Sequence, residues 1–140
     1  MVYRILYLIL AGLILSGGTA MARDAGKEAS AVSAAEKWLA TVDAGHYSES
    51  WKEAAELFRN AVKPEQWEQS MQTARKPLGK RLSRKVLTKS YEASLPGAPD
   101  GEYVVIQFET SFENKITAIE TVTPMMDRDG KWRVSGYYIK

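Results

Sequence analysis

Between Val32 and Ile139 the spacing of apolar positions changes once, near Lys80, from threes and fours to twos. Upstream, Val32, Ala35, Leu39 and Val42 make one stripe of a helix from about Ala29 to Ala44, with Trp38 beside it. Arg23 to about Ala29 reads as a polar lead-in. Gly45 suits the left-handed residue that stops such a helix. Ser48 offers an N-cap for a second helix, with Glu49 and Glu53 complementing its positive end. That helix would bury Trp51, Ala54, Ala55, Phe58 and Val62. Pro64 and Glu65 open a third, whose stripe is Trp67, Met71, Ala74 and Leu78; Pro77 and Gly79 close it.

Downstream the pattern is that of strands. Leu82 to Leu95 reads as a long strand, irregular in its first half, followed by the turn Pro96-Gly97-Ala98-Pro99-Asp100-Gly101. Glu102 to Phe112 sets Val104, Ile106, Phe108 and Phe112 on one face, against Tyr103, Gln107 and Glu109. Asn114-Lys115 turns the chain into a strand from Ile116 to Met126, and Asp127-Arg128-Asp129-Gly130 into a last strand from Trp132 to Ile139. Three N-terminal helices followed by four antiparallel strands is an α+β order, with the helices packed on one face of the sheet. The last hairpin leaves one ambiguity. If Met126 pairs with Lys131, Glu120 lies opposite Tyr137, away from the Trp132 and Val134 face; a slip of one residue places it opposite Gly136, on that face.

The first residues stand apart from this pattern. Arg4 is a minimal basic region, Ile5 to Leu15 is apolar apart from Gly12, and Ala20-Met21-Ala22 is an A-x-A cleavage site. The apolar run is nearer the roughly 7–15 residues of a signal sequence than the ~20 of a membrane span. The expected division is a signal peptide over 1–22 and a single domain over 23–140, periplasmic or secreted after cleavage near Ala22. An uncleaved anchor is the competing reading. With no cysteine there are no disulfides, thiolate metal sites, cysteine nucleophiles or acylated N-terminal cysteine. The formal charge of +2 falls to +1 without Arg4, which argues against a dedicated nucleic-acid binder.

Five ordered blocks carry a resemblance. They are Trp38-Leu39 through Asp43-Ala44-Gly45-His46-Tyr47 to Trp51; Trp67 with Arg75-Lys76-Pro77-Leu78-Gly79; Leu95 to Gln107; Glu120 to Met125; and Asp129 to Ile139. Together they resemble the bacterial family catalogued as domain of unknown function 4019. The resemblance implies a cystatin-like or nuclear-transport-factor-2-like superfold, a half-open cone of three helices on a curved antiparallel sheet. It brings no activity, because such cones host isomerases, dehydratases, ligand binders and dimerisation modules alike.

Among ionisable residues Glu120 is the one candidate for catalysis: a mid-strand carboxylate on the concave face of such a cone can serve as a base toward a carbonyl compound. Its bland counterpart is a solvated or ion-paired strand carboxylate. Asp43 and Tyr47 flank the break at Gly45, either lining a cone mouth or building the helix junction. His46, the single histidine, reads as an exposed turn residue, and no metal site or cofactor is expected. Trp38, Trp51, Trp67 and Trp132 lie on apolar stripes and read as core in preference to a ligand cage. Arg75, Lys76, Lys80, Arg81, Arg84, Lys85 and Lys89 form a basic run without an acid. Arg75, Lys80, Arg81 and Arg84 are its candidates for anion binding, while lysines on an edge strand also guard against aggregation.

The expectation is an exported, non-catalytic module that accepts a small apolar molecule or a protein, with no nucleic acid. Trp38, Tyr47, Trp51, Trp67, Tyr103, Glu120 and Tyr137 are its pocket or interface candidates. A homodimer through the outer sheet face, using Tyr103, Val105 and Gln107, belongs to the same reading. The alternative is a cofactor-free isomerase or dehydratase with Glu120 as general base, and a third reading is a purely structural subunit of the cell envelope.

Overall fold

The computed structural model describes residues 18–140. The apolar run read as a signal sequence lies outside the described residues. Helix α1 spans Gly18–Asp43, α2 Tyr47–Glu53, α3 Glu56–Ala61 and α4 Pro64–Ala74, followed by a short 3-10 turn at Lys76–Leu78. Strands β1 Arg81–Glu92, β2 Tyr103–Phe112, β3 Lys115–Met126 and β4 Trp132–Ile139 form one antiparallel sheet in the order β1-β2-β3-β4. The architecture is therefore α+β, helices first, as the change of period predicts. No described helix is long and apolar enough to cross a membrane.

Helix α1 begins well before Ala29, so the segment read as a polar lead-in is helical. Arg23 to Ala29 contains no proline and is rich in residues that propagate a helix at little cost. Its exposed turns are tied to the sheet where Lys27 Nζ lies 2.6 Å from a Glu102 carboxylate oxygen and over the Tyr91 ring. The buried stripe is Ala31, Ala35, Trp38, Leu39 and Val42, with Val32 half-buried at its margin. At the other end Gly45 takes φ 78°, and its N–H donates to Val42 O while His46 N–H donates to Thr41 O. These two bonds satisfy carbonyls that the helix end would leave orphaned.

Among the described residues there are four helices where three were expected, because the second is broken. Ala54 and Ala55 are extended, and Ala55 N–H donates to Val134 O of β4 at 2.8 Å. Ser48 lies inside α2 rather than capping it; His46 occupies the cap position, exposed, with its carbonyl accepting from Ser50 N–H. The apolar positions around the break still face inward, since a local bond to the sheet replaces one helical turn. Pro64 sits in the first turn of α4 as predicted, where Gln66 Oε1 accepts from Lys63 N–H.

Val104, Ile106, Phe108 and Phe112 of β2, Val122 of β3 and Val134 of β4 turn their side chains toward the helices. The layer between is aromatic. Trp38 and Trp67 have ring centroids 5.9 Å apart, Phe58 meets Trp67 edge-on at 5.0 Å, and Tyr137 meets Trp38 edge-on at 5.2 Å. Both indole N–H groups are used: Trp38 donates to Ser50 O and Trp67 to Ser50 Oγ. The completely buried Ser50 donates onward to Tyr47 O. Trp51, half-buried, donates to Val62 O and so latches the end of α3.

The register of the last hairpin is neither of the two simple alternatives. Met126 pairs with Trp132, and a shift between Thr123 and Pro124 leaves Ser135 unmatched, so that Val122 faces Tyr137 and Glu120 faces Ile139. Pro124 explains the bulge: in an inner strand it cannot donate to the ladder, and prolines there are confined to such irregularities. The extra residue restores Tyr137 to the inner face, beside Glu120.

Candidate functional site

Six side chains from six parts of the fold meet at one end of the helix–sheet interface. Asp43 comes from the last turn of α1, Arg75 from the end of α4, Arg84 from β1, Thr110 from β2, Glu120 from β3 and Tyr137 from β4. Glu120 is completely buried. Its Oε1 accepts from Arg84 Nε at 2.7 Å and from Thr110 Oγ1 at 2.5 Å, and its Oε2 accepts from the Tyr137 hydroxyl in a short bond. Arg84 uses its two remaining nitrogens on Asp43, Nη1 to Oδ2 at 2.7 Å and Nη2 to Oδ1 at 3.0 Å. Arg75 Nη2 and Arg81 Nε also reach Asp43, each at 3.2 Å. Arg75, buried against the Phe112 ring, gives its other terminal nitrogen to Gly79 O.

Three guanidiniums and two carboxylates leave this cluster with a formal charge of +1. Its bonds set the protonation states. Burial works to raise the Asp43 carboxyl, but hydrogen bonds and charge from Arg84 and Arg75 outweigh it and hold the group below the ordinary carboxylate range. Burial first, then the neighbouring Glu120 carboxylate, push the Tyr137 phenol well above its usual value, so it stays a donor. Arg84 is desolvated, yet the two carboxylates favour its cation more strongly and raise it.

This geometry bears directly on catalysis. A carboxylate offers about four acceptor positions, and three of those on Glu120 are filled by donors of the protein itself. A general base needs a free lone pair within about 3 Å of the proton it removes. Tyr137, with its phenol raised, is correspondingly poor as an acid. Two shallow depressions adjoin the cluster. One of about 190 Å³ is lined by Glu36, Ala40, Asp43, Arg81 and Arg84; the other, of about 230 Å³, by Ser83, Arg84, Lys85, Glu109, Thr110, Ser111 and Ile116. Both border Arg84, and neither is lined by Glu120.

The other candidates are dispersed. Trp38, Trp67 and Tyr47 are core, and Trp51 packs at its edge. Tyr103 lies on the outer sheet face but is covered by its own turn: its hydroxyl donates to Pro99 O, and its ring packs beside Gly101. It is therefore not available to the outer-face dimer contact expected of it; Val105 and Gln107 remain half-buried on that face. The basic run divides in two. Arg75 and Arg84 turn inward to acids, with Arg81 at the rim, whereas Lys76, Lys80, Lys85 and Lys89 are exposed. Sequence reasoning missed Thr110 and Ser50, both fully buried hydroxyls on otherwise apolar stripes, and it did not connect Asp43 with Arg84, 41 residues away. A hydroxyl at an inward strand position and an unpaired mid-strand carboxylate were the available signals.

No curated protein and no solved structure matches the chain. A family model does, over residues 34–137, a span that holds every member of the buried cluster. On that match the chain belongs to the family described as Protein of unknown function (DUF4019).

Proposed function

We propose that this protein is an exported, non-catalytic domain that binds another protein, and that the Asp43–Arg84–Glu120–Tyr137 cluster holds its helices to its sheet. The observation carrying this reading is the packing between the layers. Trp38, Phe58, Trp67 and Tyr137 fill the layer between helices and sheet with ring-to-ring contacts. Ligand pockets of drug-sized molecules need some 300–1,000 Å³ of concave space. Large apolar side chains instead reach solvent along β1. Export rests on the leader read over 1–22.

An isomerase or dehydratase based on Glu120 would require that residue to release Arg84, Thr110 or Tyr137 before meeting a substrate, and leaving such a donor unpaired in the interior costs about 1–3 kcal/mol. The deciding experiment is native mass spectrometry of the protein recovered from its producing cells. The expected masses are the chain from Arg23, alone or in a complex with another polypeptide. A stoichiometric small-molecule adduct would instead establish a filled pocket and overturn the protein-binding reading.

A further inference from the structure

We propose that β1 is a docking edge that takes an extended, acidic segment of a partner protein as a fifth strand of the sheet. This rests on the protein-binding reading and assigns its surface. Within the described sheet β1 pairs on one side only, with β2, over a length of 12 residues. The opposite edge is shorter, and a carbonyl of it, Val134 O, is already taken by Ala55 N–H. An edge strand displays unpaired N–H and C=O groups that template another strand.

The side chains of β1 are unusual for an edge left to water. Leu82 is 57% exposed, Leu87 49% and Val86 39%; the two leucines are the residues left without partners at the strand's two register shifts. Natural edges are guarded by charge, and the lysines of β1 provide it, but guarding alone gives no reason for three large apolar side chains beside them. The charge also selects the occupant. Lys85 and Lys89 are exposed, Lys85 has only Glu109 at 3.6 Å, and Lys89 has no ion pair among the described residues. Arg81 is half-exposed at the start of the strand, and the single acid, Glu92, lies at its end. A second copy of β1 would bring this basic stretch against itself, and like charges directly opposite destabilise a strand pair. The shift at Leu87 sets Lys85 on the outer face beside Glu109 and Lys89 on the inner face beside Ile106. A strand with acids three residues apart, one on each face, and apolar residues between them therefore places opposite charge against both lysines and lies along Leu82, Val86 and Leu87.

The test uses the 15N-labelled full chain and a peptide of about ten residues repeating glutamate-valine-valine, which puts acids on both faces and has a common strand length. Amide exchange along β1 should slow on addition of the peptide, and affinity should weaken with salt as screening of exposed charges requires. The double variant Lys85→Glu, Lys89→Glu, checked for an unchanged circular dichroism spectrum, should bind that peptide about tenfold or more weakly, a loss of about 1.4 kcal/mol. It should instead accept a peptide repeating lysine-valine-valine. Unchanged exchange along β1 overturns the proposal, as does protection confined to β4 or the helices; in the latter case the protein-binding reading survives without this surface. Binding to phosphatidylglycerol vesicles without binding to the peptide would also overturn it, by identifying the basic strip as a membrane contact.

Discussion

Glu120 would be expelled from the core were it not held by Arg84, Thr110 and Tyr137. A buried charge pair contributes little over an apolar substitute, but removing one partner strands the other. Glu120→Gln should therefore lower unfolding free energy by about 3–5 kcal/mol in urea titration, since Arg84 keeps its charge. Tyr137→Phe, which deletes one bond to a charged acceptor, should cost about 1.5–3 kcal/mol. The pH limbs separate the members. Asp43 titrates lower in the folded chain than in the unfolded one, so its contribution is complete above the ordinary carboxylate range and is lost as pH falls through the folded value. Asp43→Asn should flatten that acid limb. Tyr137 titrates higher when folded, so its contribution is complete below about pH 10 and is lost as pH rises through the folded value. Tyr137→Phe should flatten the alkaline limb and leave the acid one. Glu120 was legible as an oddity in an apolar strand. Its partners were not, because Arg84 lies 36 residues away inside a run whose charge reads as solvated, and pairing across strands depends on register.

Elements show where periodicity stops informing. The stripe Trp51, Ala54, Ala55, Phe58, Val62 fits one helix, and yet the chain is extended at Ala54 and Ala55. The competing partner is Val134 O, whose position no local pattern encodes. Ala55 has φ −62°, which proline accepts, so Ala55→Pro tests that bond without altering the backbone angle. It should destabilise by about 1–3 kcal/mol through an unsatisfied buried carbonyl, as read by thermal and urea unfolding. The β3–β4 register failed to follow from alternation for a related reason: Pro124 forces a bulge, and Ser135 absorbs it. Deleting Ser135 should return Tyr137 to the outer face and cost at least the ~3–5 kcal/mol of a broken buried pair. An unchanged urea midpoint would show that the bulge does not carry the cluster. The turns, by contrast, were written in the residues themselves. Gly45, Gly79, Gly97 and Gly130 all take positive φ where the sequence places helix ends and turns.

For the whole molecule, the question is where the folded domain starts relative to the cleavage expected at Ala20-Met21-Ala22. The helix runs through Ala20-Met21-Ala22, but Met21, Ala22 and Arg23 are exposed, and the first fully buried side chain among the described residues is Ala31. The tie from Lys27 to Glu102 and Tyr91 lies beyond Ala22 as well. Of the residues whose burial is described, cleavage after Ala22 would remove only the exposed Met21 and Ala22, and helical residues contribute little without packing. A chain starting at Arg23 should unfold within about 0.5 kcal/mol of the full chain, as surface changes do. A chain starting at Ala34, the first residue of the family match, loses Ala31, half-buried Val32 and the Lys27 tie. It should be weaker by about 1–3 kcal/mol, the scale of burying one or two aliphatic side chains. The pair of truncations separates a leader from a structural helix. If the loss already appears in the chain starting at Arg23, the apolar segment is part of the fold, and export by cleavage near Ala22 is excluded. If it appears only in the shorter chain, the helix between Arg23 and Ala34 belongs to the mature domain, and the leader does not.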